Sequence, residues 1–203
     1  MPELFTLAEA AAIAGIPAAT IRTAIEKRSF TPKHRKRVGK ANRHRFSEGD
    51  LLLMKTLAQF PFPLSKSDKA ALAQVLQNDR GTAGPWARRG AELVYLSSEI
   101  KLHFTIGGLM RELKRNLQLF QYGAKRIMSS PDILGGEPVF RGTRVSLQHL
   151  AGLYRKKVSE TEIAEDFAHL SYRDLEYARL ASRFIAKPGR PKGPIKLIRV
   201  ARP

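Results

Sequence analysis

A glycine- and proline-rich stretch, residues 133–144 with the sequence ILGGEPVFRGTR, constrains the fold of this chain more than any other part. Glycine adopts backbone conformations that other residues resist and proline fixes one backbone angle, so a turn of defined shape is predicted. The apolar pairs Ile127-Met128 and Val139-Phe140 predict two short strands joined by a tight turn at Gly135-Gly136. The residues predicted to shape this structural turn are Gly135, Gly136, Pro138 and Gly142.

Three helices are predicted after this turn. The apolar spacing over residues 145–154 indicates the first of them. Capping-box patterns that begin at Ser159 and Ser171 predict two more, over residues 160–166 and 172–185. Three helices with short connections have the proportions of a helix-turn-helix-like domain.

The motif in this part of the chain resembles a small bacterial domain family of unknown function. It consists of SPDILGGEPVFRGTR (residues 130–144), VSETEIAEDF (158–167) and HLSYRDL (169–175), and the resemblance covers residues 126–185. Members of that family are associated with VapB-like antitoxins of toxin–antitoxin operons. The resemblance implies a dimerising, DNA-binding antitoxin module whose partner is a PIN-domain ribonuclease toxin of the VapC type.

The charge balance narrows the class of partner. Lys and Arg number 36 against 18 Asp and Glu, which gives a formal net charge of +18. Such an excess indicates a polyanionic partner, with nucleic acid first and an anionic membrane surface as the rival. No run of about 18 apolar residues is present and the N-terminus lacks a basic region followed by an apolar run, so we expect a cytoplasmic protein.

Catalytic and metal-binding patterns are missing from the sequence. There is no cysteine, which excludes disulfides and cysteine-ligated zinc, and none of the five histidines has metal-like spacing. Neither a nucleophile motif nor a phosphate-binding glycine loop occurs. We therefore predict a protein that is not an enzyme and has no cofactor. Asp166 is interpreted as a helix-end residue and Asp174 as a residue at a helix N-terminus, rather than as nuclease ligands.

The N-terminal residues predict a helix-turn-helix. Thr6 with Glu9 three residues later is a capping pattern for a first helix, and Gly15 is placed to end it. Pro17 can begin a second helix, whose inner face includes Ile21. Two helices and a glycine turn within about twenty residues are typical of a helix-turn-helix.

Residues 5–22, FTLAEAAAIAGIPAATIR, and residues 45–51, RFSEGDL, are similar to the MerR-type winged helix-turn-helix, with the resemblance covering residues 4–60. In that family the second helix reads the major groove and the wing touches backbone phosphate. This chain has Thr23 and Ala24 where an aromatic residue is usual. No effector-binding half follows, which argues against regulation by a small inducer.

A basic segment, residues 33–45, contains no acidic residue and lies where the wing is expected. Lys and Arg along a duplex neutralise phosphates and release counterions, although a solvated basic loop would have the same composition. We expect Thr20, Arg22 and Lys27 to read base edges and the wing cations to contact phosphate. The residues predicted to bind DNA are Thr20, Arg22, Lys27, Arg28, Arg35, Lys36, Arg37, Lys40, Arg43 and Arg45.

The middle of the chain is predicted to link the two modules and to contribute to dimerisation. Ser47 caps a third helix. The predicted elements after it are a helix over 65–78, an exposed loop over 78–85, a hairpin with strands 91–96 and 100–105, and a helix over 106–120. The apolar stripe of the last helix, including Leu113 and Leu117, is interpreted as core, with a dimer face as the alternative.

The C-terminal residues 187–203 have a different character. Three prolines and two glycines between Lys187 and Pro194 exclude a helix or central strand, so an extended, flexible tail is predicted. The antitoxin resemblance implies that the tail wraps the toxin and places an arginine among its acidic metal ligands. The predicted toxin-binding residues are Lys187, Arg190, Lys192, Ile195, Leu197, Ile198, Arg199 and Val200. Gly189-Arg190-Pro191 also resembles an AT-hook core for the minor groove, and a plain disordered terminus is the third possibility.

The predicted fold class is mainly α with small β elements: an N-terminal winged helix-turn-helix, a C-terminal three-helix helix-turn-helix-like domain and an extended tail. The predicted segments are 1–60, 61–125, 126–186 and 187–203. The function expected is an antitoxin that neutralises a PIN-domain ribonuclease and represses its own operon, as a homodimer within a larger complex. The alternative is a stand-alone DNA-binding regulator or nucleoid-associated protein.

Overall fold

A computed structural model describes residues 3–27, 30–32, 34–38, 41–60 and 63–186. Over these ranges the chain is mainly helical with small antiparallel β elements, which confirms the predicted fold class.

The N-terminal part has the predicted order of helix, turn, helix, hairpin and helix. Thr6 and Glu9 form a complete capping box, and Gly15 ends the first helix with a φ of 71°. Ser47 and Asp50 form a second capping box at the start of the third helix. The elements are α1 (Leu7–Ala14), α2 (Ala18–Glu26), β1 (His34–Val38), β2 (Ala41–Arg45) and α3 (Glu48–Leu57).

A helix and a four-stranded antiparallel meander follow. They are α4 (Lys66–Leu76), β3 (Arg80–Ala83), β4 (Trp86–Arg89), β5 (Glu92–Leu96) and β6 (Lys101–Thr105), and the strands pair in sequence order. The exposed loop predicted over 78–85 was wrong, because β3 pairs with β4 across a turn in which Gly84 has a φ of 52°. The polar β3 lacks a strand pattern of its own; β4 carries the buried Trp86 and supplies the pairing edge.

The 20-residue helix α5 (Gly107–Arg126) connects the two ends of the molecule. It runs six residues beyond its predicted end at Phe120, because its buried face continues through Gly123. Leu113 and Leu117 belong to a core that extends from the N-terminal module through the meander, while Leu119 belongs to a second core with α6 and α8. The apolar stripe is therefore core within one chain rather than a free dimer face.

The C-terminal part contains the predicted short strands and three helices: β7 (Ile127–Met128), β8 (Val139–Phe140), α6 (Leu147–Arg155), α7 (Glu160–Asp166) and α8 (Tyr172–Ala181). The pairing of Ile127 with Phe140 and of Met128 with Val139 confirms the strands. The connection between them is a ten-residue loop with a short 3-10 turn at Leu134–Gly136, so the predicted tight turn was wrong. Helix α8 ends earlier than predicted, and turns lead from it to Ile185.

Candidate nucleic-acid interface

Helix α2 presents a polar face to solvent. Ile21 is its only buried residue, and Ala24 and Ile25 are half-buried against the core. Thr20, Arg22 and Lys27, the predicted base-edge contacts, are all exposed. The helix therefore has the amphipathic division that lets one face pack on the protein while the other lies in a groove.

The wing places basic residues opposite one another. In the β1–β2 register Lys36 faces Arg43 and His34 faces Arg45. Side chains that face each other across an antiparallel pair lie on the same side, so like charges there destabilise the hairpin. Both Lys36 and Arg43 are exposed. A phosphate backbone between them would remove this repulsion, which favours the wing as an anion-binding element.

Within the part of the chain that the structure describes, the exposed cations of this face have no carboxylate partner. Across the described ranges, the ion pairs involve Lys55, Arg88, Arg126 and Arg179, and none involves Arg22, Lys27, Lys36 or Arg43. Cations that are not already neutralised are available for phosphate or for guanine edges.

Arg45 occupies a different position from the other predicted contacts. It is half-buried at the base of the wing, and its Nε, like Nδ1 of the neighbouring His44, is buried without a hydrogen-bond partner in the described chain. For Arg35 and Arg37 the structure describes the backbone of β1 only. Arg28 and Lys40 lie outside the described residues, as do the predicted toxin-binding residues Lys187, Arg190, Lys192, Ile195, Leu197, Ile198, Arg199 and Val200.

Three polar residues that sequence reasoning missed hold the helix-turn-helix in place. Lys55 Nζ donates to the carbonyl oxygen of Ala14 at 2.9 Å and pairs with Glu112 at 2.9 Å. Asn116 Nδ2 donates to the carbonyl oxygen of Ile13 at 2.9 Å. Helices α3 and α5 thus satisfy the carbonyl groups left open at the end of α1. These partners are 41 and 103 residues apart in sequence, so no local pattern reveals them.

The glycine-rich turn makes hydrogen bonds within the C-terminal domain. Gly135, Gly136 and Gly142 have φ values of 63°, 91° and 78°, which lie in the left-handed region that favours glycine. The carbonyl oxygen of Pro138 accepts a hydrogen bond from the Leu147 amide at 2.9 Å. Thr143 Oγ1 donates to the Phe140 carbonyl oxygen at 2.8 Å and accepts from the Val145 amide at 3.1 Å.

Asp174 is fully buried at the start of α8 and organises this domain. Arg126 donates to both of its oxygens, from Nε at 2.8 Å and from a terminal nitrogen at 3.0 Å. Tyr122 Oη donates at 2.7 Å and the Ser171 amide at 3.1 Å. Burial alone would raise the pKa of Asp174, but these hydrogen bonds outweigh it and lower the pKa to about 2. Asp174 is thus the helix-start residue that the sequence predicted.

Arg126 extends this cluster to the glycine-rich turn. Its remaining terminal nitrogen donates to the Arg141 carbonyl oxygen at 2.6 Å. The hydrogen bond to Asp174, more than the opposing effect of burial, raises the pKa of Arg126. One guanidinium therefore connects the end of α5, the start of α8 and the turn after β8.

Within the second helix-turn-helix-like unit, helix α7 has the opposite charge character. Helix α7 exposes four carboxylates, those of Glu160, Glu162, Glu165 and Asp166. On α8, Arg179 is held by Glu160 at 2.6 Å and lies 3.9 Å from Glu176. This face repels phosphate, so α7 and α8 are poor candidates for a DNA contact.

The described residues contain no group of three or more His, Asp or Glu side chains that could hold a metal ion. Within the same ranges, no helix has both the length and the apolar character needed to span a bilayer.

The architecture is thus a pair of helices joined by a glycine turn, a two-stranded hairpin and a third helix, connected by a meander and a long helix to a second helical domain. Residues 127–179 match the model of a family described as a protein of unknown function (DUF433). No curated protein matches the chain. Among solved structures, the crystal structure of Rv2018 from Mycobacterium tuberculosis is 16% identical, covers 86% of this chain and 96% of its own, and superposes with a TM-score of 0.34. The family match is confined to the C-terminal domain.

Proposed function

We propose that this protein is a DNA-binding antitoxin: it represses its own operon through the N-terminal winged helix-turn-helix and neutralises a PIN-domain ribonuclease. The observation that carries the DNA-binding part is the exposed face of α2 and the wing, whose described cations lack carboxylate partners. The proposed location is the cytoplasm, where the operator DNA lies.

In this proposal α2 lies in the major groove and the wing lies along the backbone. Arg22 is the residue proposed to read guanine, because a guanidinium can donate to O6 and N7 of that base together. Lys36 and Arg43 would neutralise phosphates and so contribute affinity without sequence preference.

The antitoxin part rests on the resemblance of residues 126–185 to domains associated with VapB-like antitoxins. The family match over residues 127–179 supports the presence of this domain and names no function. The tail is proposed to bind the toxin, with Arg190 or Arg199 pairing with acidic metal ligands of the ribonuclease. Joining the repressor and the inhibitor in one chain would couple the two binding events, so that the complex regulates its own synthesis.

A stand-alone regulator or nucleoid-associated protein is the second candidate. It is favoured because the geometry of the described residues supports the DNA-binding part of the proposal and not the toxin-binding part. The two candidates differ in whether an adjoining reading frame encodes a short acidic PIN-like protein. Co-expression with that product, followed by mass measurement of the purified complex, separates them: a stable complex supports the antitoxin, and two separate proteins support the regulator.

The DNA-binding part is tested by titrating the duplex upstream of the gene and a scrambled duplex of the same composition. We expect tighter binding of the natural duplex, and we expect Arg22→Ala to reduce that preference by about 1–3 kcal/mol. Lys101→Ala, an exposed cation on the meander, is the matched control and should change neither affinity. Equal affinity of the wild type for both duplexes would contradict sequence reading by α2.

A further inference from the structure

A cavity of about 240 Å³ lies directly beneath α2. It is a half-open pocket bordered by α2, by α3 and the turn after it, and by α4. Most of its lining is apolar, including Ile21, Ala24, Phe30, Met54, Leu57 and Phe60. Small ligands bind preferentially in concave, mostly apolar sites with a few polar groups, so an apolar pocket of this size beneath α2 favours a ligand.

The few polar groups of the lining indicate what the ligand carries. Lys69 of α4 and Thr20 of α2 line the cavity, and its described lining contains no carboxylate. Lys69 is half-buried, and within the described chain it makes no ion pair. A lysine in the lining of an otherwise apolar pocket matches a small apolar molecule with one anionic end. Because the cavity is smaller than the roughly 300–1,000 Å³ of typical ligand sites, one or two rings or a medium-length chain would fill it.

Helix α2 buries a single side chain completely. Ile21 is its only buried residue, and Ile21, Thr20 and Ala24 all line the cavity. A molecule in the cavity would add apolar contacts along the inner face of α2 and reduce its motion. DNA would then bind a helix that is already ordered, which gives positive coupling between the two ligands.

We propose that this cavity binds a small apolar carboxylate that acts as a corepressor and strengthens DNA binding by fixing α2. This site lies inside the helix-turn-helix module, so it needs no separate effector-binding domain of the MerR type. The ligand site is inferred from the cavity alone, whereas its coupling to DNA binding rests on the proposed function.

Calorimetric titration of the full chain with naphthalene-2-carboxylate and with octanoate tests the site. We expect saturable binding of one molecule per chain, with naphthalene-2-carboxamide as the uncharged comparison. Lys69→Gln should weaken binding of the two carboxylates about tenfold, since a hydrogen bond to a charged group is lost. It should leave the affinity for the amide unchanged. Ala24→Leu should abolish binding of all three compounds by filling the cavity.

Matched controls are available on the same two helices. Lys66→Gln on α4 and Ala19→Leu on α2 alter exposed residues that do not line the cavity, and both should bind like the wild type. The proposed site would be overturned if no compound bound saturably, or if Lys69→Gln and Ala24→Leu both bound with wild-type affinity. Circular dichroism of each variant checks that it is folded.

The coupling is tested by measuring affinity for the upstream duplex with and without saturating naphthalene-2-carboxylate. We expect about a fivefold or larger gain in affinity, within the usual range of coupling between sites, and no gain for Ala24→Leu. An unchanged affinity despite proven calorimetric binding would refute the corepressor role. If the protein does not bind DNA with or without the ligand, the proposed function is wrong. The calorimetric titration still tests whether the pocket binds the carboxylate.

Discussion

Asp174 illustrates how one buried carboxylate organises the C-terminal domain. We expect Asp174→Asn to lower the free energy of unfolding by about 3 kcal/mol, because it removes one partner of a buried, doubly hydrogen-bonded pair with Arg126. Denaturant unfolding measures the change. Asp132→Asn alters an exposed carboxylate in the neighbouring turn and should stay within about 0.5 kcal/mol of the wild type. A similar loss in both variants would contradict the special role of Asp174.

The pKa of Asp174 also predicts a pH dependence. Its folded value of about 2 lies below the ordinary value near 4, so in the interval between them the unfolded chain binds a proton that the folded chain does not. The stabilisation by this carboxylate is therefore complete above about pH 4 and is lost as the pH falls toward 2. Unfolding measured across this interval should show a shallower pH dependence in Asp174→Asn than in the wild type. Identical slopes would refute the assignment.

Two helical glycines offer a matched pair of substitutions. A Cβ at Gly123 of α5 would overlap the ring of Tyr177, whereas a Cβ at Gly152 of α6 meets nothing. We expect Gly123→Ala to destabilise by about 1–3 kcal/mol through overpacking, and Gly152→Ala to stabilise by about 1 kcal/mol through helix propensity. Thermal unfolding compares the two variants. A stabilising Gly123→Ala would show that α5 and α8 do not pack as closely as described.

At the scale of elements, the wing brings two exposed cations, Lys36 and Arg43, opposite each other. Replacing Lys36 and Arg43 together with Ala should weaken binding to every DNA sequence and reduce the salt dependence of log K by about two units, one per phosphate contact. Stability should not fall, because a repulsive pair is removed. Anisotropy titrations at several salt concentrations measure the slope.

The meander supplies the control for this experiment. Arg80 and Arg89 also face each other across a hairpin, in exposed positions on β3 and β4. Replacing both with Ala removes the same kind of repulsion and the same number of charges, yet should leave the salt slope unchanged. Equal slopes for the two double variants would show that overall charge, rather than the wing, drives DNA affinity.

Elements with local signals were predictable and those that depend on distant partners were not. Thr6 and Ser171 form the capping boxes that their sequences predict, and Ser47 caps its helix as predicted. Ser159 accepts a hydrogen bond from the Glu162 amide but does not complete the predicted box. Strand β3 was missed because a polar Arg-Gly-Thr-Ala run becomes a strand only through pairing with β4. For the candidate site, Arg22 and Lys27 could be assigned from helical spacing, but the support from Lys55 and Asn116 depends on contacts far apart in sequence.

At the scale of the whole molecule, the two functions are proposed to occupy opposite ends of the chain. Deleting residues 187–203 should leave the unfolding temperature and DNA affinity largely unchanged, because both described cores lie before residue 187. It should abolish protection of cells that express the partner ribonuclease. Growth assays and promoter titrations of the truncated protein measure both effects. Retained protection would place the inhibitory surface elsewhere, and a fall in DNA affinity would favour the AT-hook interpretation of Gly189-Arg190-Pro191.

The central claim, that α2 reads the major groove, is tested most directly by methylation protection of the upstream duplex. Dimethyl sulfate modifies guanine N7, which lies in the major groove. We predict that saturating wild-type protein protects a small set of guanines, and that Arg22→Ala loses protection at specific positions within that set while still binding the duplex. Uniform methylation under saturating wild-type protein, or an unchanged pattern in Arg22→Ala, would contradict the claim.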